Sequence, residues 1–172
     1  SLRFMGHAMN NLKDIPFATG YAAGISMIIR FVKEFPESRW STSILLGLSI
    51  AFTCSVRIGG LILFAYLGLA IIALLILKPF LLKHIVSTKL CLVRLLGQGL
   101  IIAGIGYFVG LLFWPYALQD VFQNPLESLL VMEHYKVSIR QIFNGELFWS
   151  TQLPWYYLIK WILISTPEFV LL

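Results

Sequence analysis

The sequence predicts an all-α fold: a polytopic transmembrane helix bundle of about five spans with one long outer loop. Three observations predict it. Apolar residues make up 59% of the chain and charged residues only 12%, with a mean hydropathy of +0.85. A soluble chain carries roughly 25% charged residues, so this one is too poor in charge to cover its surface with polar groups. The apolar residues also gather in stretches near the roughly 20 residues that cross a hydrocarbon core. Basic residues, finally, collect in short connections that the span count assigns to one face.

The first span is expected over 15–31, ended by Arg30 and Lys33, and the second from Trp40 to Val56. The third runs over 60–77 and is closed by Lys78-Pro79. Residues 40–77 cannot be one straight helix: about 38 residues at ~1.5 Å each exceed ~50 Å, well beyond a bilayer core. The break belongs at Arg57-Ile58-Gly59-Gly60, where a charge and two glycines favour a tight turn. A fourth span is expected over 97–116 and a fifth from Pro154 towards the end of the sequence. Segment 83–95, with Lys83, His84, Lys89 and Arg94 among Leu, Ile and Val, reads either as an amphipathic interface helix or as the frayed start of the fourth span. Gly20-x-x-x-Gly24 and Gly106-x-x-x-Gly110 fit the small-xxx-small pattern of close helix approach, a pattern that also arises by chance in apolar helices.

Orientation follows from charge. Arg30, Lys33 and Arg39 lie in one connection, and Lys78, Lys83, Lys89 and Arg94 in another on the same face, which the positive-inside rule makes cytoplasmic. The opposite face receives residues 1–14, the Arg57 turn and the 115–153 outer loop, which is net acidic and edged by Trp114, Trp149, Trp155, Tyr156 and Tyr157. The chain begins with Ser1 and stops inside the apolar run Phe169–Leu172, so residues 1–172 are expected to be part of one transmembrane domain of a longer protein. Cys54 and Cys91 sit in apolar surroundings with no disulfide or metal spacing. Histidines 7, 84 and 134 lie far apart, no soluble-enzyme signature is present, and neither a metal nor a cofactor is expected. In so apolar a chain the net charge of +5 marks span flanks rather than nucleic-acid binding.

Polar chemistry is expected on the outer face, at four places. His7, Asn10, Asn11, Lys13 and Asp14 crowd against the first span, where Asp14 either caps the helix or, with Lys13, meets a substrate. Arg57, between two spans, either snorkels to headgroups or binds a lipid phosphate. Glu133-His134-Tyr135-Lys136, followed by Arg140 and Asn144-Gly145-Glu146, either faces substrate or forms a solvated cover of short helices. The fourth place is the Leu153-Pro154-Trp155-Tyr156-Tyr157 re-entry with Lys160, for which snorkelling is the simpler reading.

These features resemble a known family. Asn10-Asn11-Leu12-Lys13-Asp14-Ile15-Pro16-Phe17 precedes a hydrophobic hairpin with Arg57-Ile58-Gly59-Gly60 at its outer turn. Phe143-Asn144-Gly145, then Leu153-Pro154-Trp155-Tyr156-Tyr157 and Thr166-Pro167, complete the order. Over nearly its whole length the chain looks like the middle portion of bacterial GT-C membrane glycosyltransferases of the dolichyl-phosphate-mannose protein mannosyltransferase type. The resemblance implies sugar transfer from a polyprenyl-phosphate donor to an acceptor outside the cytoplasm, in a bacterial inner membrane. It implies Asp14 as a second acidic, catalytic position of the active face, with the family's principal acidic motif expected in an outer loop upstream of Ser1. It also implies Arg57 near the lipid phosphate and an outer loop closing over the donor. The residues themselves add Lys13, Glu133, His134 and Arg140 as substrate-binding candidates. The expected partners are the lipid-linked donor, an unspecified acceptor and membrane lipids. A polytopic transporter or flippase is the rival reading, and a non-catalytic membrane scaffold a third.

Overall fold

A computed structural model describes residues 13–133 and 138–166. The chain divides into two compact units, Ser1–Met132 and Glu133–Leu172.

In the first unit, α1 spans Asp14–Glu34 and α2 Trp40–Val56. A 3₁₀ turn, Ile58–Leu61, leads into α3, Ile62–Leu77; α4 is Pro79–Ser87 and α5 Lys89–Gly104, which runs on through a π turn, Ile105–Val109. Two short helices follow, α6 (Pro115–Gln119) and α7 (Gln123–Glu133), the last residue of which already counts with the second unit. Asp14 in the first turn of α1 and Lys33 in the last complement its dipole. Gly20, Gly24, Ile28 and Phe31 form its buried stripe at helical spacing. The helix stops before Pro36, because a residue ahead of proline avoids α geometry: Phe35 is extended, with ψ 137°.

Helix α2 is the centre of the unit. It packs against α1, α5 and the π turn, and its Leu46 and Ile50 are fully buried. Helix α3, by contrast, buries only Leu63 and exposes Leu69, Ile72, Ile76 and Leu77. So much contiguous apolar surface is untenable in water and natural against lipid. Among the described residues three helical stretches are long and apolar enough to cross a membrane: Asp14–Glu34, Ile58–Leu77 and Lys89–Val109. Trp40–Val56 is a shorter apolar helix of 17 residues.

The two glycine pairs mark close packing. A Cβ on Gly20 would lie 2.7 Å from both Phe52 and Thr53, and one on Gly24 2.7 Å from Leu63. On the other side of α2, Gly106 faces Ile50 and Phe64, and Gly110 faces Ala51 and Cys54. The turn glycines act differently from expectation. Neither Gly59 nor Gly60 adopts positive φ, so conformational freedom is not what the Arg57–Gly60 break uses. Gly60 supplies space instead: a Cβ there would lie 2.6 Å from the backbone nitrogen of Cys54.

At the Glu34 end a polar knot ties three helices together. The Glu34 carboxylate accepts hydrogen bonds from Arg30 Nε (3.0 Å), the Arg39 amide (3.1 Å) and Thr42 Oγ1 (2.8 Å). Ser38 Oγ donates back to the Phe31 carbonyl, and the Ser38 carbonyl accepts from Arg94 (2.9 Å) and Gln98 (2.5 Å) of α5. Thr42 is fully buried, so Thr42→Val keeps the packing and removes only a charge-assisted bond. It is expected to destabilise the unit by about 1.5 kcal/mol, measured by unfolding in detergent micelles.

Two expectations need correction. The fourth span does not start at Gly97; α5 already begins at Lys89. Segment 83–95 is split at Thr88, which is extended, so its first part belongs to the separate helix α4 and its second to the span. The all-α expectation also fails locally, because the second unit contains a two-stranded antiparallel hairpin. Strand β1, Arg140–Phe143, pairs with β2, Glu146–Trp149, in the register Arg140 opposite Trp149. The cause is legible in hindsight: Asn144 (φ 57°) and Gly145 (φ 87°) make the two-residue turn that Asn-Gly favours. Gly145→Val is expected to cost about 1–2 kcal/mol of local stability, seen as faster amide exchange across the ladder. Helix α8, Tyr157–Ser165, completes this unit. Phe143 is buried against Tyr156, Tyr157 and Phe148, and Tyr157 Oη donates to Gln141 Oε1. Lys160 donates to Asn144 Oδ1 and lies 5.2 Å from the Phe143 ring, which ties it to the hairpin.

Candidate functional site

Asp14, the first residue of α1, and Arg57, the residue closing α2, meet at one end of the first unit. Their separation in sequence is large, and the antiparallel α1–α2 pair brings them together. Arg57 Nη2 donates to Asp14 Oδ1 in an ion pair. The N-cap position is Lys13, so Asp14 stands one residue inside the helix, its carboxylate engaged by Arg57. Pro16 follows in the same first turn, where a missing N–H costs no helix bond.

The Arg57 backbone is fixed as well as its side chain. The Arg57 amide donates to Thr53 (3.1 Å), and its carbonyl accepts from Gly60 (3.0 Å). Its charge lies 6.0 Å from the Phe17 ring, whose neighbours Tyr21 and then Tyr66 continue an aromatic row at 5.8 and 6.0 Å. The side chains of Arg57 and Asp14 are 40% and 49% exposed. An ion pair this open contributes little to stability, which leaves both groups accessible to a ligand. Lys13, exposed, precedes Asp14 at the same helix terminus.

The Pro115–Glu127 segment follows the end of the π-turned span in the same unit, and its acidic groups serve structure. Asp120 Oδ1 accepts from the amides of Gln123 (2.9 Å) and Phe122 (3.1 Å) and so caps α7. Tyr116 Oη donates to Glu127 (2.7 Å), which raises the Tyr116 hydroxyl above its ordinary value. The two amides hold the Asp120 carboxyl below the usual aspartate range. A depressed value stabilises the fold above the unfolded value, about 3.9, and that contribution disappears as pH falls through the folded one. Asp120→Asn is expected to abolish this acid-dependent loosening of α7, read by amide exchange at Phe122 and Gln123 below about pH 4.

The remaining candidates lie elsewhere. Arg140 belongs to the second unit, where it stacks 4.6 Å from the Trp149 ring. Glu133 is the last residue of α7, and its side chain, with His134 and Lys136, lies outside the described residues. His7, Asn10, Asn11 and Pro167 also lie outside them. Sequence reasoning missed the Glu34–Ser38–Arg94–Gln98 knot. Its signal was present in Gln98, an amide inside an otherwise apolar span. No protein-family model, curated protein or solved structure matches the chain.

Proposed function

We propose that the chain is the membrane-embedded part of a glycosyltransferase that moves a sugar from a polyprenyl-phosphate donor to an acceptor. The observation that carries the reading is the Asp14–Arg57 pair, a carboxylate and a guanidinium in contact at the end of two apolar helices. Sugar transfer needs both: a base for the acceptor's proton and a cation for the departing phosphate. The donor phosphate competes with Asp14 for Arg57, whose planar fork matches phosphate oxygens. As Arg57 turns to the phosphate, the carboxylate is released to accept the proton. Lys13 adds positive charge beside the same helix terminus.

The reading further takes about five spans, with 115–153 outside, and puts the active face outside a bacterial inner membrane. The basic residues at the helix ends Arg30, Lys33 and Arg39, and those from Lys78 through Lys83 to Lys89, support that orientation. Arg140, Glu133 and His134 are its further substrate-binding candidates. A transporter would gather its polar groups near mid-membrane in broken helices, whereas Asp14 and Arg57 stand at helix ends.

The test is sugar transfer in proteoliposomes carrying the protein and a polyprenyl-phosphate sugar, with Asp14→Asn and Arg57→Ala beside the parent. Loss of transfer in both, with folding intact, is expected. Full activity in both variants would overturn the site, and substrate uptake without sugar transfer would favour the transporter.

A further inference from the structure

The opposite end of the first unit carries a second set of observations. A cleft of about 480 Å³ is lined by Trp40, Leu90, Val93, Arg94 and Gly97. Its walls are apolar, and Leu90 and Val93 are 79% and 64% exposed, so it opens on the outer flank of α5. Gly97 forms part of its floor: a Cβ there would meet the Trp40 ring at 3.1 Å. A second cavity of about 110 Å³ shares Leu90 and Arg94 with the cleft and is bounded by Glu37, His84 and Thr88.

Arg94 links the two spaces. One of its Nη groups donates to the Ser38 carbonyl, but its Nε is buried with no hydrogen-bond partner among the described residues. A buried guanidinium donor without an acceptor is costly. Both cavities lie where α2 and α5 begin, at the ends of apolar helices, and an interfacial tryptophan borders one of them. The chemistry required is a cationic donor near Glu37, an anionic acceptor for Arg94 and a hydrocarbon chain for the cleft. Those three parts occur in that order in one molecule of the membrane itself.

We infer that this end of the bundle holds one aminophospholipid, its phosphate on Arg94, its ammonium toward Glu37 and one acyl chain in the Trp40–Val93 cleft. A choline headgroup satisfies the phosphate and the chain but has no N–H to donate to Glu37. A phosphatidylglycerol headgroup satisfies Arg94 but offers Glu37 a neutral hydroxyl in place of an ammonium. The binding is independent of the Asp14–Arg57 site, which lies at the other end of the same helices.

The experiment is native mass spectrometry of the protein released from nanodiscs holding phosphatidylethanolamine, phosphatidylcholine and phosphatidylglycerol in equal amounts. The parent is expected to retain one phosphatidylethanolamine, about tenfold over phosphatidylcholine, as one charge-assisted hydrogen bond warrants. Glu37→Gln is expected to bring that ratio near one while a phospholipid is still retained. Val93→Trp fills the cleft from an exposed position, leaves the Arg94–Ser38 bond intact and is expected to cut retention of all three. Equal retention of phosphatidylethanolamine and phosphatidylcholine by the parent overturns the proposal, as does preference for phosphatidylglycerol. Unchanged retention in Val93→Trp overturns the assignment of the cleft.

Discussion

Gly60→Ala is expected to destabilise the first unit by about 3 kcal/mol, at the upper end of what overpacking costs. The added methyl would stand 2.6 Å from Cys54 N and 2.8 Å from Thr53 C, both backbone atoms of α2. Backbone inside a helix cannot swing aside as a side-chain tip can, so relief requires moving the 3₁₀ turn. That turn sets where α3 leaves α2 and holds Arg57, whose carbonyl accepts from the Gly60 amide. Two other glycines calibrate the expectation. Gly106→Ala meets the Phe64 ring tip at 2.7 Å, which can tilt away, and should cost about 1 kcal/mol. Gly68→Ala meets nothing within 4 Å and should be neutral or stabilise by up to about 1 kcal/mol through helix propensity. Denaturant titration of the three proteins in micelles gives the order directly. Equal stability of all three would show that the turn does not pack against α2.

On the proposed transferase function, Asp14→Asn is expected to lower sugar transfer by about 10²–10⁴-fold, the usual contribution of a positioned base. Asparagine keeps the shape and can still accept from Arg57, but it cannot take a proton. Arg57→Ala is expected to lose about 10²–10³-fold through the uncompensated phosphate charge. Arg57→Lys should recover only part, because an ammonium keeps charge without the bidentate fork. Since both partners are nearly half exposed, these losses should come without unfolding. Unfolding in step with activity would make the pair structural instead.

The membrane character of the chain was legible from composition and run length. Burying Leu63 alone in α3 while exposing Leu69, Ile72 and Ile76 is what a continuous apolar run requires when lipid is the solvent. The helix break at Arg57–Gly60 was legible too, because no straight helix of that length fits a bilayer. Asp14 and Arg57 could be assigned to one face by counting spans, and the structure adds that they touch. The hairpin is less legible: Asn144-Gly145 marks its turn, but strands of four residues leave no trace in hydropathy averaged over span length.

By itself, then, the sequence determined which stretches are apolar enough to live in lipid and where charge interrupts them, since those depend on residue type and chain length alone. Only the tertiary structure decided which interruptions meet. That Gly60 is needed for space and not for flexibility depends on the path of α2. That Arg94 and Gln98 share the Ser38 carbonyl depends on α5 packing beside the α1–α2 turn, across a sequence gap that no local pattern encodes. Contacts of that kind arise from helix crossing and register, which short-range periodicity leaves open.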